Sequence, residues 1–278
     1  MIQQLEYSIP SSHTSKELTF DITFNDTIKN QPLVIFLHGF KGFKDWGHFN
    51  LIAKEFANNG IAFLKLNFSH NGTNSDNLID FVDLEAFGNN NFSKEIQDLD
   101  DLLHFLSVTP NKFSSINFNN TTLMGHSKGG ATALIKGMED NRIHKIITWN
   151  GVIYLKDRYA AELKEWKEKG VLLIENARTN QQMPIYYQLA EDVLKNIDRF
   201  DIPSKLKTTE KPTLAIHSKE DLTVSANEPI SVQNDFTKLE LFEEGSHSFD
   251  GAHPYTEKTL PAISKKAIEL SQRFIKEH

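Results

Sequence analysis

The sequence predicts an α/β protein built on a mostly parallel, doubly wound sheet. Short continuous apolar runs recur along the chain, among them LVIFL (33–37), IAFLKL (61–66) and TLAIH (213–217), and such runs suit strands buried on both faces. Between them, apolar residues fall at helical spacing. One run, TTLMG (121–125), passes directly into HSKGGATALIKGMED, a small-residue segment that reads as a helix.

Residues 1–30 alternate loosely in LEYSI and ELTFDITF and predict two half-exposed antiparallel strands. Pro32 precedes the strand LVIFL, which ends at His38-Gly39. Phe49, Ile52, Ala53 and Phe56 mark a helix that Gly60 closes, and IAFLKL follows as a strand. The Asn-, Gly- and Ser-rich stretch from about 67 to 92 predicts a loop, and loops of that length in compact domains are often functional. Ser93 is expected to cap a helix with Ile96, Leu99, Leu103 and Leu106 on one face, ended by Pro110. TTLMG and its helix come next, then the strand KIITW (145–149). Residues 151–210 break the rhythm with a charged helix (Lys156–Lys169), the apolar patch VLLIE and a helical stretch around Tyr186–Ile197. TLAIH and KLELF (238–242) restore the strands, and Ile263, Ala267, Leu270 and Phe274 mark a C-terminal helix. A single domain over 1–278 is therefore expected, with eight strands and a cap at about 151–210 inserted after the sixth.

A chain of 278 residues can bury a full core without a disulfide or a metal. Its net charge of -7 argues against a protein that coats nucleic acid or an anionic membrane, since both favour a basic surface. The absence of cysteine excludes disulfides, thiolate zinc sites, iron–sulfur clusters and a cysteine nucleophile. MIQQLEYSIP has neither the basic nor the apolar region of a signal peptide, and no apolar run approaches the roughly 18 residues of a membrane span. The expected location is the cytoplasm, and the expected partner is a small-molecule ester rather than nucleic acid or membrane, bound by a monomer or homodimer.

Gly125-His126-Ser127-Lys128-Gly129 matches G-x-S-x-G. The pattern arises by chance roughly one time in ten in a chain of this length, but here it joins a strand to a helix, as a nucleophile elbow requires. The alternative is a serine that merely caps a helix. Serine needs a base, and His247 in EEGSHSFDGAHP follows the last strand by a few residues, with His253 as the rival in the same loop. The base needs a carboxylate, and Asp221 lies just past TLAIH, with Glu220 as its competitor. The order Ser127, Asp221, His247 is the one this strand pattern calls for. The backbone N–H groups of Lys128 and Phe40 are the candidate oxyanion donors. His38 and His217 read as structural histidines. His38, His48, His70 and His126 lack zinc-type i,i+4 pairing with an acid, and no G-x-x-x-x-G-K loop occurs, so neither metal nor cofactor is expected.

With these residues in place the chain resembles the α/β-hydrolase superfamily over nearly its whole length. HGF (38–40), GHSKGG (125–130), Glu220-Asp221 and Gly245-Ser246-His247 carry the likeness. Within it, HGFKGFKDW, LNFSHNG and HSFDGAHP resemble the small bacterial serine esterases related to dienelactone hydrolases and cinnamoyl (feruloyl) esterases. Two departures stand out: the usual D-x-R-G-x-G after the fourth strand is NFSHNG (67–72), and the strict dienelactone hydrolases use a cysteine. The resemblance implies an α/β-hydrolase fold, a Ser127-Asp221-His247 triad and an insert that covers the active site. In that insert Trp166, Met183, Tyr186 and Tyr187 are expected to line an apolar or aromatic acyl pocket, with the insert's own core as the alternative. Arg178 reads as a surface salt bridge or as a contact for a substrate carboxylate or phosphate. The implied activity is hydrolysis of carboxylic esters with small or aromatic acyl groups. The competing readings are an aminopeptidase-like or aminoacyl hydrolase, with Asp80, Asp83 and Glu85 as candidate partners for an α-amine, and a non-catalytic binding protein on the same scaffold.

Overall fold

The computed structural model describes residues 1–156, 158, 163–176 and 178–277. Strands β1 (Ile2–Pro10) and β2 (Glu17–Asn25) open the chain as an antiparallel pair. They are followed by β3 (Gln31–Leu37), α1 (Phe49–Asn58), β4 (Ala62–Asn67), α2 (Leu84–Gly88), α3 (Phe92–Val108), β5 (Ile116–His126), α4 (Lys128–Glu139) and β6 (Lys145–Trp149). Then α5 (Leu163–Lys169), β7 (Val171–Asn176), β8 (Gln181–Tyr186), α6 (Gln188–Lys195) and α7 (Ile202–Leu206) intervene before β9 (Thr213–Ser218), α8 (Asn227–Ser231), β10 (Lys238–Phe242) and α9 (Ala262–Glu277).

The main sheet has eight strands in the order β1-β2-β4-β3-β5-β6-β9-β10. From β4 to β10 neighbouring strands pair in parallel, while β2 runs antiparallel to both β1 and β4. Alternation along β3 explains how both faces are covered. Leu33, Ile35 and Leu37 join Ile96, Leu99, Leu103 and Leu134 of α3 and α4 on one face. Val34 and Phe36 join Phe56 of α1 and Phe274 of α9 on the other. Trp149 is buried on the second face and donates its indole N–H to Ser271 Oγ at 3.0 Å. Among the described residues no helix is long and apolar enough to cross a membrane.

Several elements differ from the sequence expectation, each for a local reason. β5 begins five residues earlier than TTLMG, because the chain bulges at Asn117–Thr121 where the pairing with β3 shifts register. Asn91 rather than Ser93 caps α3: its side chain accepts the Lys94 N–H at 2.9 Å, while Ser93 Oγ reaches Asp192 at 2.5 Å. The expected 67–92 loop contains α2, capped by Asp83, and buries Phe81 and Phe87 against Phe43 and Met183. VLLIE is one arm of the β7–β8 hairpin, and Tyr186 ends β8 instead of starting a helix. Of the expected helix Lys156–Lys169, α5 is the described part, and residues 157 and 159–162 lie outside the described residues.

β2 is buried along its length rather than half exposed, because its polar member Asp21 sits in an ion cluster that mimics an exposed position in the sequence. Lys44 Nζ donates to Asp21 at 2.7 Å and Asp45 at 2.5 Å, and Lys65 Nζ lies 2.6 Å from Asp45 and 3.3 Å from Asp21. Burial alone would lower the Lys44 ammonium, but Asp21 and Asp45 outweigh it and raise it above its ordinary value. Asn67 Oδ1 accepts the Lys44 N–H at 2.6 Å, so the cluster anchors the loop after β3 to β2 and β4. Removing one partner of a buried ion pair is strongly destabilising, about 3–5 kcal/mol. Asp21→Ala is therefore expected to lower stability by about that much, read from urea unfolding at constant slope. A loss below about 1 kcal/mol would show that the cluster does not anchor the loop.

Candidate active site

The strand-to-helix turn after β5 sets the geometry of everything near it. Ser127 has φ 56 and ψ -121, a left-handed backbone that a non-glycine residue adopts only where its surroundings hold it there. Three backbone hydrogen bonds do so: Ser127 N–H to the Trp149 carbonyl at 3.0 Å, and Gly130 and Val152 N–H to the Ser127 carbonyl at 2.9 and 3.1 Å. Any side chain at Gly125 would overlap the Gly129 carbonyl, so the turn closes only around glycine. Ser127 Oγ does not cap α4 and makes no hydrogen bond among the described residues. The loop after β3 also comes close, since a methyl group at Gly39 would lie 3.0 Å from Ser127 Cβ.

The loops after β9 and β10 supply the other two groups. His247 Nδ1 lies 2.7 Å from Asp221 Oδ2. Asp221 Oδ1 accepts the N–H groups of Thr223 at 2.8 Å and Val224 at 3.0 Å. Burial alone would raise the Asp221 carboxyl, but the His247 hydrogen bond and these two amides outweigh it and hold it below its ordinary value. The His247 carbonyl accepts from Asn150 Nδ2 at 2.8 Å and lies 2.8 Å from His126 Nε2. Burial keeps His126 neutral, lowering its pKa to about 3, so Nε2 carries the proton it donates. Asn150, at φ 46, also accepts the Ser218 N–H at 2.8 Å and thereby ties the ends of β6 and β9 to the His247 loop.

Two cavities meet at Ser127 and Phe40. One, of about 280 Å³, is lined by His247, Trp46, Phe49, Lys41, Asn176 and Arg178 among others. The second, of about 700 Å³, has an apolar wall that includes Phe92, Val152, Leu155, Leu172, Ile174 and Ile185. Together they fall in the size range of small-molecule sites, roughly 300–1,000 Å³.

The structure brings Ser127, Asp221, His247, Phe40 and Lys128 to one place. The Lys128 side chain is tied back, its ammonium paired with Glu95 and 4.6 Å from the Phe92 ring. The competitors are otherwise engaged. His253 accepts the Gly47 N–H at 3.0 Å, Glu220 is exposed, and His217 Nε2, 3.7 Å from Asp221 Oδ2, donates to the Val224 carbonyl at 2.9 Å. The four insert residues expected to line the pocket are absent from both cavities. Trp166 donates to the Ile185 carbonyl at 2.8 Å and packs on Tyr187, Met183 is buried against Phe43, and the Tyr186 hydroxyl donates to Glu85 at 2.6 Å. Outward-leaning apolar residues of the hairpin line the cavity instead, and VLLIE was their signal in the sequence. Asn150, a polar residue at the end of a buried strand, is a site residue that pattern reading passed over.

One group of possible metal ligands, His13, Asp98 and Asp101, occurs among the described residues, with its ligand atoms within 4.8 Å. Its atoms are already in use: Asp98 binds His13 at 2.8 Å and the Ser69 N–H at 2.8 Å, and Asp101 accepts the Ser12 N–H at 2.8 Å.

No family model and no curated protein sequence matches the chain. Solved structures do. Est1E from Butyrivibrio proteoclasticus with ferulic acid bound superposes with a TM-score of 0.64 at 15% identity, over 98% of this chain and 96% of that one. The esterase domain of a Rhodothermus marinus protein gives 0.65 at 17% identity, over 99% and 98%. A dienelactone hydrolase from Anabaena variabilis gives 0.63 at 15% identity, over 100% and 98%. With the strand order above, these matches establish the α/β-hydrolase fold.

Burial lowers His38 to about 4 and His126 to about 3, from 6.5. The unfolded chain takes up these protons as pH falls below about 6.5, and the folded chain does not. Their contribution to stability is complete above pH 6.5 and declines as pH drops toward 4. Each tenfold difference in proton affinity is worth about 1.4 kcal/mol. His126→Gln is expected to flatten the fall of the urea midpoint between pH 7 and pH 4.5. An unchanged slope would mean that His126 is not held neutral.

Proposed function

We propose that the protein is a serine hydrolase that cleaves carboxylic esters through an acyl-enzyme on Ser127. The observation that carries this reading is the 2.7 Å His247–Asp221 bond beside an unpartnered serine hydroxyl at φ 56, with both side chains on one cavity. Ser127 Oγ attacks the ester carbonyl and gives its proton to His247 Nε2. Asp221 holds Nδ1–H, fixing the tautomer and stabilising the imidazolium. The N–H groups of Phe40 and Lys128 receive the oxyanion, and the Lys128 N–H belongs to the first turn of α4, where no intrahelical acceptor competes. The C–O bond breaks as His247 protonates the departing alcohol. A water that gives its proton to the same nitrogen then attacks the acyl-enzyme, and Ser127 leaves with that proton.

An esterase domain, a dienelactone hydrolase and a protein with ferulic acid bound are among the structural neighbours and support the ester reading, although an acylaminoacyl peptidase from Pyrococcus horikoshii also superposes, with a TM-score of 0.68 at 15% identity over 99% of this chain and 41% of that one. The acids that an aminopeptidase would need for an α-amine are engaged. Asp80 pairs with Arg178 at 2.6 Å, Asp83 pairs with Lys16 and caps α2, and Glu85 accepts from Tyr186. A pure binding protein would have no use for a strained serine beside an oriented histidine.

A fluorophosphonate probe is expected to label Ser127, and Ser127→Ala to abolish both labelling and turnover of nitrophenyl esters. Asp221→Asn should lower kcat by about 10⁴-fold, because the histidine loses its tautomer. Labelling that survives Ser127→Ala, or no Ser127-dependent turnover across a broad ester panel, would falsify the reading.

A further inference from the structure

The two cavities that meet at Ser127 differ in kind. We infer that the ester this site takes joins an apolar acyl group to an alcohol that carries an anionic group, a carboxylate being the smallest. The inference rests on Ser127 acting as the nucleophile, as proposed above.

His247 tells the two arms apart. The alcohol oxygen must leave with a proton from His247 Nε2, so it must lie within hydrogen-bond reach of that atom. His247 lines the cavity of about 280 Å³ and is absent from the lining of the cavity of about 700 Å³. The alcohol therefore belongs in the smaller arm and the acyl chain in the larger one. The larger arm offers Phe40, Phe92, Leu172 and Ile174 to an apolar chain.

The smaller arm carries Lys41, Asn176 and Arg178 and no carboxylate among its described lining residues. Asn176 is 9% exposed, and its buried Nδ2 has no hydrogen-bond partner among the described residues. Its Oδ1 accepts the Arg178 N–H at 3.3 Å, which leaves the amide NH₂ as the free end. Arg178 gives Nη2 to Asp80 at 2.6 Å and to the Ile79 carbonyl at 3.3 Å, while Nε and Nη1 make no hydrogen bond among the described residues. Among the described residues Lys41 Nζ hydrogen-bonds the Glu175 carbonyl alone, at 3.3 Å. Asp80 offsets one of the two cations. A positive charge thus remains in one small cavity of a chain whose net charge is -7, and the wall of that cavity includes Asn176, whose buried amide would reach an anion by a small rotation. Donors of this kind match a group that only accepts hydrogen bonds. Trp46 and Phe49 line the same arm and suit the few carbons between the ester oxygen and the anion.

The test compares kcat/KM for three esters: the butyryl ester of glycolate, the neutral butyryl ester of glycolamide, and ethyl hydrogen glutarate, which carries its carboxylate on the acyl side. The first is expected to exceed the second by about tenfold, the contribution of one charge-assisted hydrogen bond. The third should be the poorest. Asn176→Asp and Arg178→Met should each bring the ratio of the first to the second close to one or below it. That ratio is insensitive to a general loss of active enzyme. A ratio near one in the wild type, or a ratio that survives Asn176→Asp, overturns the inference while Ser127-dependent turnover of the neutral ester leaves the proposed function standing. If none of the esters is turned over in a Ser127-dependent way, both fall together.

Discussion

The constraint on which the site depends is the reversal of the chain at Ser127. A strand must become a helix within one residue, and only a left-handed backbone at that residue makes the turn. Such a conformation costs a non-glycine residue of order 1–3 kcal/mol. It persists because the N–H of Ser127 is held by Trp149 at the end of β6 and its carbonyl by Gly130 in the first turn of α4 and Val152 in the segment after β6. Glycine at 125 lets the start of α4 close over the end of β5. Because β3, β5, β6, β9 and β10 are parallel, their C-terminal ends face the same way, and the loops that follow them converge on this turn.

A second layer of contacts makes the convergence specific. The His247 loop is not part of the sheet, yet its carbonyl is held from both sides by His126 and Asn150. His126 is the residue before Ser127, and Asn150 follows the strand next to it. A shift of β5 would therefore move the serine and the histidine loop together. Asp221 shows the same economy, since one oxygen orients His247 and the other ends two backbone N–H groups that would otherwise be unpaired. Behind the elbow, Glu95 on α3 accepts from Asn90 and from Lys128 and Thr132 of α4, which ties the two helices together.

Much of this arrangement was legible in the sequence because it depends on local rules. The continuous apolar runs of β3, β4, β6 and β9 and the two glycines of the elbow each speak for themselves. The order of Ser127, Asp221 and His247 follows from strand ends that can be counted. What was not legible depends on distant partners. Asp21 in β2 reads as a solvent-facing residue until Lys44 and Lys65 are seen around it. Trp166 and Met183 read as pocket residues by their chemistry, but Trp166 packs inside the insert on Tyr187, and Met183 docks the hairpin onto Phe43, Phe81 and Phe87 outside it. Asn91 takes the cap from Ser93 because Asp192, almost a hundred residues away, holds Ser93 instead.

The same division separates chemistry from selectivity. The groups proposed to make and break bonds stand at the ends of sheet strands or on a helix start, where backbone hydrogen bonds hold them to a narrow geometry. The groups that would recognise the rest of a substrate come from the loop after β3 and from the β7–β8 hairpin, which is joined to the core by a few side-chain contacts. An insert of this kind can change its lining without disturbing the turn at Ser127, because none of the hydrogen bonds that hold that turn crosses into the hairpin. Most cations whose contacts lie inside the protein are matched there, Lys44 and Lys65 by Asp21 and Asp45, and Lys128 by Glu95. Lys41 and Arg178 are the cations that line the mouth of the smaller arm, and they stand on the parts of the chain that the elbow leaves free to vary.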